Sequence, residues 1–334
     1  MCLPMSEPYD VIRFSGHNVN QQWLEQRKKG VGGSDVSAIM GLSRYKGPYA
    51  LWAEKSGLVI PEDISDKPAV MVGNALEDPI RRWFRDRHPE LVVTASNCIL
   101  RSKRRPWAQA SLDGVCHIRG SSRSDKSSYA VLEIKTVGER SIKDWYDDSG
   151  KLTLPIYYLC QVTHYLSVTG WSKAYVAALF GNRELVELEI MRDEDDIRAV
   201  ESAVDEFWQR VQTGEEPPID GSPGEAEALL KRHQTSDGEV WDCGDMPREV
   251  ADYIYYKETA DAAKERLDKA GNALKRLIGD RKGISCPDYV VTWPRGTRKT
   301  FDKKRFMAEQ PDLYEQYVTV GPSNSGIRIK ERKK

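Results

Sequence analysis

Ala110-Ser111-Leu112-Asp113-Gly114-Val115 and, beyond a polar loop, Val131-Leu132-Glu133-Ile134-Lys135-Thr136 decide how this chain reads. Both stretches are short, apolar and rich in β-formers, and they read as strands. Between them runs Gly120-Ser121-Ser122-Arg123-Ser124-Asp125-Lys126-Ser127-Ser128, a hairpin-type loop. Residues i and i+2 of a strand share a face. Glu133 and Lys135 therefore project together, while Leu132 and Ile134 point the other way into a core. If the strands are hairpin neighbours, Asp113 lies beside Glu133. Two carboxylates and an amine at one point suit a divalent metal on oxygen ligands. The amine can orient a water or stabilise the charge of an attacked phosphate. A lone Glu-x-Lys is a common tripeptide that far more often marks a surface ion pair on an edge strand, so the rest of the chain has to decide.

Working outward, further strands are expected at 91–93, 97–100, 174–180 and 185–190. Helices are expected at 34–40, with Ser34 as N-cap, and at 48–55, opened by Pro48 and closed by Gly57. A longer helix covers 69–87, with Val72, Leu76, Ile80, Trp83 and Phe84 on one face. Pro155 opens another through Gln161 and Tyr165 to Gly170, and a further helix covers 194–213. Trp52 and Trp83 read as core residues. His164 reads as a helix-surface residue or one lying behind the site. None of the histidines has ligand spacing. Pro217-Pro218 through Gly224 is the expected boundary, giving domains 1–216 and 217–334. Beyond it come a long helix at 247–280, a small helix at 302–310, and short strands at 289–293, 318–320 and 327–329.

The 334 residues allow about two domains. With 40% hydrophobic and 30% charged residues, wholesale disorder is excluded. No run approaches the ~18 apolar residues of a membrane span. The N-terminus carries no signal or lipidation pattern. Six cysteines, none in CxxC spacing, outline neither a disulfide framework nor a zinc site. Net charge is −1, yet it is unevenly spread. Residues 215–280 hold 9 basic and 16 acidic side chains, and residues 281–334 hold 13 basic and 6 acidic. A basic end of this kind points to a nucleic acid or an acidic partner.

Asp113 followed by Glu133-x-Lys135 resembles the PD-(D/E)XK nuclease signature. Four segments in order resemble one branch of it, the YqaJ-like viral recombinases that include the lambda-type alkaline exonucleases. They are Trp23-Leu24-Glu25-Gln26-Arg27-Lys28-Lys29-Gly30-Val31-Gly32-Gly33-Ser34-Asp35, Gly73-Asn74-Ala75-Leu76-Glu77-Asp78, the strands Ala110-Ser111-Leu112-Asp113-Gly114 and Leu132-Glu133-Ile134-Lys135, and Tyr158-Leu159-Cys160-Gln161-Val162-Thr163-His164-Tyr165-Leu166. Each is weak alone, and the ordered set, covering about 20–213, is specific.

The resemblance implies an α/β fold with a mixed central sheet flanked by helices, the restriction-endonuclease-like core, plus a C-terminal helical and short-strand extension. It implies a metal-dependent DNA exonuclease of phage-type recombination that degrades linear duplex 5′ to 3′. The 3′ overhangs left behind would serve a single-strand annealing protein. Glu77, Asp113, Glu133 and the Ile134 backbone carbonyl would hold one or two Mg2+ or Mn2+ ions. Lys135 would activate or position the water, with Gln161 in support. Arg27, Ser34 and Ser111 would grip a 5′-terminal phosphate, Arg as a bidentate fork and Ser34 at a helix start. A ring-shaped trimer, cytoplasmic placement in a bacterial host and a phage or prophage origin follow from the same likeness. Two other readings stay open. One is an endonuclease or helicase-associated nuclease, and the other is a non-catalytic DNA-binding scaffold.

Overall fold

The computed structural model describes residues 7–319, apart from 234, 236 and 237, together with 327 and 329. The chain divides into two compact units, Met1–Gln234 and Thr235–Lys334.

In the first unit the elements run β1 (Tyr9–Arg13), α1 (Val19–Lys28), α2 (Gly33–Ile39), α3 (Pro48–Lys55), α4 (Pro68–Arg87), β2 (Leu91–Ala95), β3 (Cys98–Ser102) and β4 (Gln109–Ala110). They continue with β5 (Gly114–Ile118), β6 (Tyr129–Val137), α5 (Ile156–Thr169), β7 (Lys173–Phe180), β8 (Glu184–Met191), α6 (Glu194–Thr213) and α7 (Pro223–Arg232). A five-stranded sheet has the order β2-β5-β6-β7-β8. All its neighbours are antiparallel except β6 and β7, which are parallel. A parallel pair needs a crossover, and α5 supplies it. This is the mixed α/β architecture that the sequence reading expects.

Strand periodicity sorts the two faces. Val131 and Val137 of β6 pack with Val162, Tyr165 and Leu166 of α5. Leu132 and Ile134 face the other way, against Ile80 and Phe84 of α4. Glu133 and Lys135, in step with Val131, thus lie on the α5 face. A third cluster joins α2, α3 and α6 through Val36, Leu51, Trp52, Val200, Val204 and Phe207. In α6 the run Ile197, Val200, Val204, Phe207 keeps one apolar face inward, and Asp193 caps its start by accepting from the N–H groups of Asp195 and Asp196.

Several expectations are corrected. The strand read over Ala110–Val115 is interrupted. Residues 109–110 pair with β3 in a separate three-stranded sheet, β1-β3-β4, whereas β5 starts at Gly114 in the main sheet. The chain therefore changes sheet at Ser111-Leu112-Asp113. Ser34 is not the N-cap of α2. Gly32 takes that place, and its N–H donates to the Asp35 carboxylate at 3.0 Å. Trp83 and Val72 are half-exposed on α4, at 47% and 50%, whereas Trp52 is buried. His164 is not on a helix surface; it is fully buried and its Nε2 donates to the Gln109 carbonyl at 3.0 Å. The first unit runs past Pro217-Pro218 because α7 docks on α3. There Arg232 donates to the Tyr49 hydroxyl at 2.8 Å and pairs with Glu216.

The second unit holds α8 (Arg248–Ile278), an antiparallel hairpin of β9 (Gly283–Ser285) and β10 (Val290–Thr292), α9 (Lys303–Glu309) and α10 (Pro311–Gln316). Val318 and Thr319 belong to no strand, and residues 320 and 328 of the two expected terminal strands lie outside the described residues.

Candidate active site

The sheet change at residues 111–113 opens a cleft of about 850 Å3 between α1, α2, α4 and α5. Every side chain singled out from the sequence lines it: Arg27, Ser34, Glu77, Ser111, Asp113, Glu133, Lys135 and Gln161, with Ile134 beside them.

Register places the central group. Gly114 faces Leu132 in the β5–β6 ladder, so Asp113 arrives opposite Glu133. There the Asp113 Oδ2 accepts the Ile134 N–H at 2.7 Å. The Lys135 Nζ lies 2.6 Å from Glu133 Oε1 and donates to Gln161 Oε1 at 3.1 Å. Beneath it, the Tyr158 ring centroid is 4.5 Å away. Gln161 Nε2 donates to Glu133 Oε1 at 2.7 Å and to the Tyr165 hydroxyl at 3.0 Å. One carboxylate oxygen of Glu133 is thus shared by two donors. The other, Oε2, is buried and has no hydrogen-bond partner among the described residues.

Electrostatics follow from burial. Glu133 is 2% exposed. Desolvation, then the Asp113 charge, pushes its carboxyl well above the usual range, against the pull of Lys135. Asp113 is raised by burial too, although Lys135, the Ile134 N–H and Arg81 oppose the shift. Glu77 is half-buried on α4 and raised by desolvation and by Asp113. Burial alone would lower Lys135, but Glu133 and Asp113 outweigh it and hold the amine charged.

Among the described residues no three Asp, Glu, His or Cys side chains converge as a ready-made metal cage. Protein cations and donors stand between the carboxylates instead. Lys135 takes Glu133, and Arg81 pairs with Glu77 while its Nε donates to the Asp113 backbone carbonyl at 3.1 Å. The donor set nevertheless fits a hard divalent cation. A carboxylate oxygen with no hydrogen bond among the described residues, in a buried site with two more carboxyls raised chiefly by burial, is an excess of oxygen ligands.

A second group lies across the cleft. Arg27, on the last turn of α1, donates to Ser34 Oγ at 2.6 Å and lies over the Trp23 ring at 4.8 Å. Trp23 Nε1 donates to Ser111 Oγ at 3.3 Å, so the three residues expected to bind phosphate are linked. Gly33 allows the close approach that builds this wall: a Cβ there would sit 2.4 Å from the Tyr165 ring.

A relative, the uncharacterized protein YqaJ of Bacillus subtilis (strain 168), is 31% identical over 316 residues, covering 93% of this chain and 94% of that protein. The model of the YqaJ-like viral recombinase domain matches residues 22–172. The chain belongs to the YqaJ-like viral recombinase family. That match contains both the carboxylate–lysine group and the Arg27 group. Among solved structures, an alkaline exonuclease (LHK-Exo) from Laribacter hongkongensis is 20% identical with a TM-score of 0.46, covering 58% of this chain and 93% of that one. A phage related exonuclease from Haemophilus somnus 129PT is 13% identical with a TM-score of 0.35, covering 55% and 96%.

Sequence reasoning missed four residues of this YqaJ-like site. Lys55, on α3, donates to the carbonyls of Arg27 at 3.0 Å and Gly30 at 2.8 Å, and lies 2.8 Å from Asp35 Oδ2. Burial would raise the Asp35 carboxyl, but Lys55 and then Arg27 outweigh it and hold it below its ordinary value. Lys55 and Asp35 thus fix the segment that carries Arg27. Arg81 and Tyr158 brace the carboxylate group. Arg81 had a local signal in its i, i+4 spacing from Glu77, and Tyr158 opens one of the four segments that carry the family resemblance. Lys55 is remote in sequence from what it holds.

Proposed function

We propose that the cleft hydrolyses DNA phosphodiesters with a divalent cation, acting on the end of linear duplex. The observation that carries this reading is Asp113, Glu133 and Lys135 gathered at one point of the sheet, with Glu133 Oε2 buried and without a hydrogen bond among the described residues. Asp113, Glu133 and Glu77 would hold Mg2+ or Mn2+, with the Ile134 carbonyl as a further donor. Bound there, the ion supplies Lewis-acid stabilisation of phosphoryl charge and acidifies water.

The chain's own residues divide the remaining work. Lys135, fixed by Glu133, Gln161 and the Tyr158 face, presents a charged donor to the attacking water and the scissile phosphate. Water adds to phosphorus, the P–O3′ bond breaks, and the leaving 3′ oxygen takes up a proton. That cut leaves a new 5′-phosphate on the shortened strand. Arg27, Ser34 and Ser111 offer the charged fork and hydroxyls that such a group needs. Each cycle therefore regenerates the feature that this wall binds, which supports 5′ to 3′ movement and a 3′ overhang for an annealing protein. The cleft is of small-ligand size, which suits the terminal nucleotides of one strand rather than a whole duplex.

Duplex labelled separately at the 5′ and 3′ ends of one strand tests the polarity. Early release of the 5′ label as mononucleotide, with the 3′ label lost last, is expected. The reverse order refutes the polarity and leaves hydrolysis standing.

A further inference from the structure

The loop between α6 and α7 gathers oxygens that the cleft does not use. It reads Asp220-Gly221-Ser222-Pro223-Gly224-Glu225. Gly221, at φ +79°, turns the chain through the left-handed region, where a side chain is disfavoured. Glu225 reaches back across the turn, and its Oε2 accepts the N–H groups of Asp220 at 2.7 Å and Gly221 at 2.9 Å. Asp220 Oδ1 accepts the Ser222 N–H at 2.8 Å. The loop lies on the start of α3. A Cβ built on Gly47 would sit 2.6 and 2.8 Å from the two Asp220 oxygens and 2.8 Å from Ser222 Oγ, so three side-chain oxygens converge there.

Two oxygens of this group have nothing to bond. Glu225 is 1% exposed, and its Oε1 has no hydrogen-bond partner among the described residues. Ser222 is the N-cap residue of α7, yet its hydroxyl makes no capping bond, and Oγ is buried and equally without a partner among the described residues. Burial pushes the Glu225 carboxyl up against the pull of the two backbone N–H groups, and the Asp220 carboxyl, within hydrogen-bonding reach, pushes the same way. Neither carboxylate forms an ion pair among the described residues. Lys231 and Arg232 of α7, and Lys46 before α3, are taken by Glu227, Glu216 and Glu54. In the cleft, by contrast, Lys135 and Arg81 stand against the carboxylates. A buried carboxylate beside a second one calls for a positive partner, because desolvation and repulsion both oppose its charge. A shared proton is one solution. Three backbone N–H groups already favour the ionised forms, however, and a proton between the carboxyls leaves the Ser222 oxygen unused.

We propose that Asp220, Ser222 and Glu225 form a Ca2+ site, separate from the cleft, that fastens α7 to the start of α3. Ca2+ accepts carboxylate and neutral oxygens in irregular geometry and completes its shell with water and carbonyls, whereas Mg2+ demands a near-octahedral cage. Asp220 is exposed and gives the ion a path from solvent. With two carboxylates the affinity falls in the weak range, about 0.1–1 mM. An ion held only by the folded loop stabilises it.

Calorimetric titration of the full chain with Ca2+ tests this, in a parent variant carrying Asp113→Asn and Glu133→Gln so that the cleft does not contribute. The parent is expected to bind a single Ca2+. Adding Asp220→Asn is expected to weaken binding at least about tenfold, and adding Glu225→Gln to abolish it. Saturating Ca2+ is expected to raise the melting temperature of the parent and not that of the Asp220→Asn protein. Asp220 is exposed, so its variant keeps the test open even if Glu225→Gln loosens α7. Absence of Ca2+ binding by the parent, or binding indifferent to Asp220→Asn, would overturn the proposal. So would a parent melting temperature that answers to pH in the carboxyl range but not to Ca2+, because the pair then holds a proton instead.

Discussion

Replacing Lys55 by Met reaches the Arg27 wall from behind without touching the cleft. The Lys55 side chain is 9% exposed and Asp35 13%, and they meet at 2.8 Å. Removing the amine leaves the Asp35 carboxylate buried, with the Gly32 N–H at 3.0 Å and Arg27 at 3.9 Å as its nearest compensation. It also strips a donor from the carbonyls of Arg27 and Gly30. Breaking a buried pair from one side costs about 3–5 kcal/mol, far more than a surface pair is worth. At roughly 2–4 °C per kcal/mol for a domain of this size, the melting temperature of Lys55→Met falls about 10 °C. Adding Asp35→Asn removes the orphaned charge and recovers most of that loss. A double-mutant cycle followed by thermal melting reads both numbers. The functional counterpart is a rise in KM for 5′-phosphorylated ends with a smaller change in kcat. A Lys55→Met protein melting within about 2 °C of wild type would refute the reasoning, because the pair would then be solvated.

Other outcomes follow from the same geometry. Asp113→Asn and Glu133→Gln are each expected to lower the hydrolytic rate by at least about 100-fold while duplex ends still bind, as a nuclease assay beside a filter-binding assay shows. Arg27→Ala is expected to abolish the preference for 5′-phosphate over 5′-hydroxyl ends, measured by competition between the two. Because burial and Asp113 raise the Glu133 carboxyl, a proton competes with any cation there. Mg2+ affinity, read by calorimetry across a pH series, therefore rises with pH, and a flat profile contradicts the shift. His164 is buried and its imidazole is depressed to about 4 by desolvation. The unfolded chain takes up that proton near pH 6.5, so the folded state loses up to about 3 kcal/mol as pH falls from 6.5 towards 4. Urea midpoints of wild type and His164→Gln across that window check the sign.

Strand periodicity was enough to put Glu133 and Lys135 on one face and Leu132 and Ile134 on the other, because a half-buried strand leaves no third arrangement. The hairpin loop was enough to bring Asp113 opposite Glu133. The sheet change at 111–113 was not legible. A two-residue strand such as β4 is too short to carry a period, and only its partner β3 defines it. Ser34 misled as a cap because Asp35, one position on, reaches back to Gly32 instead. His164 sits among polar neighbours in sequence, and nothing local reveals the Gln109 carbonyl that accepts its proton. Lys55 has the same difficulty: its acceptors come from α1 and the start of α2, set beside it only by the packing of Leu51 and Trp52 with Val36.

The central claim is a cation-dependent hydrolytic site that works from DNA ends through Asp113, Glu133 and Lys135. Digestion of linear 5′-phosphorylated duplex beside covalently closed circular duplex, with Mg2+ or EDTA and with Lys135→Ala in parallel, tests it most directly. The account predicts loss of the linear DNA alone, requiring both Mg2+ and Lys135. Cutting of the closed circle, or digestion that persists in EDTA or in Lys135→Ala, would contradict it.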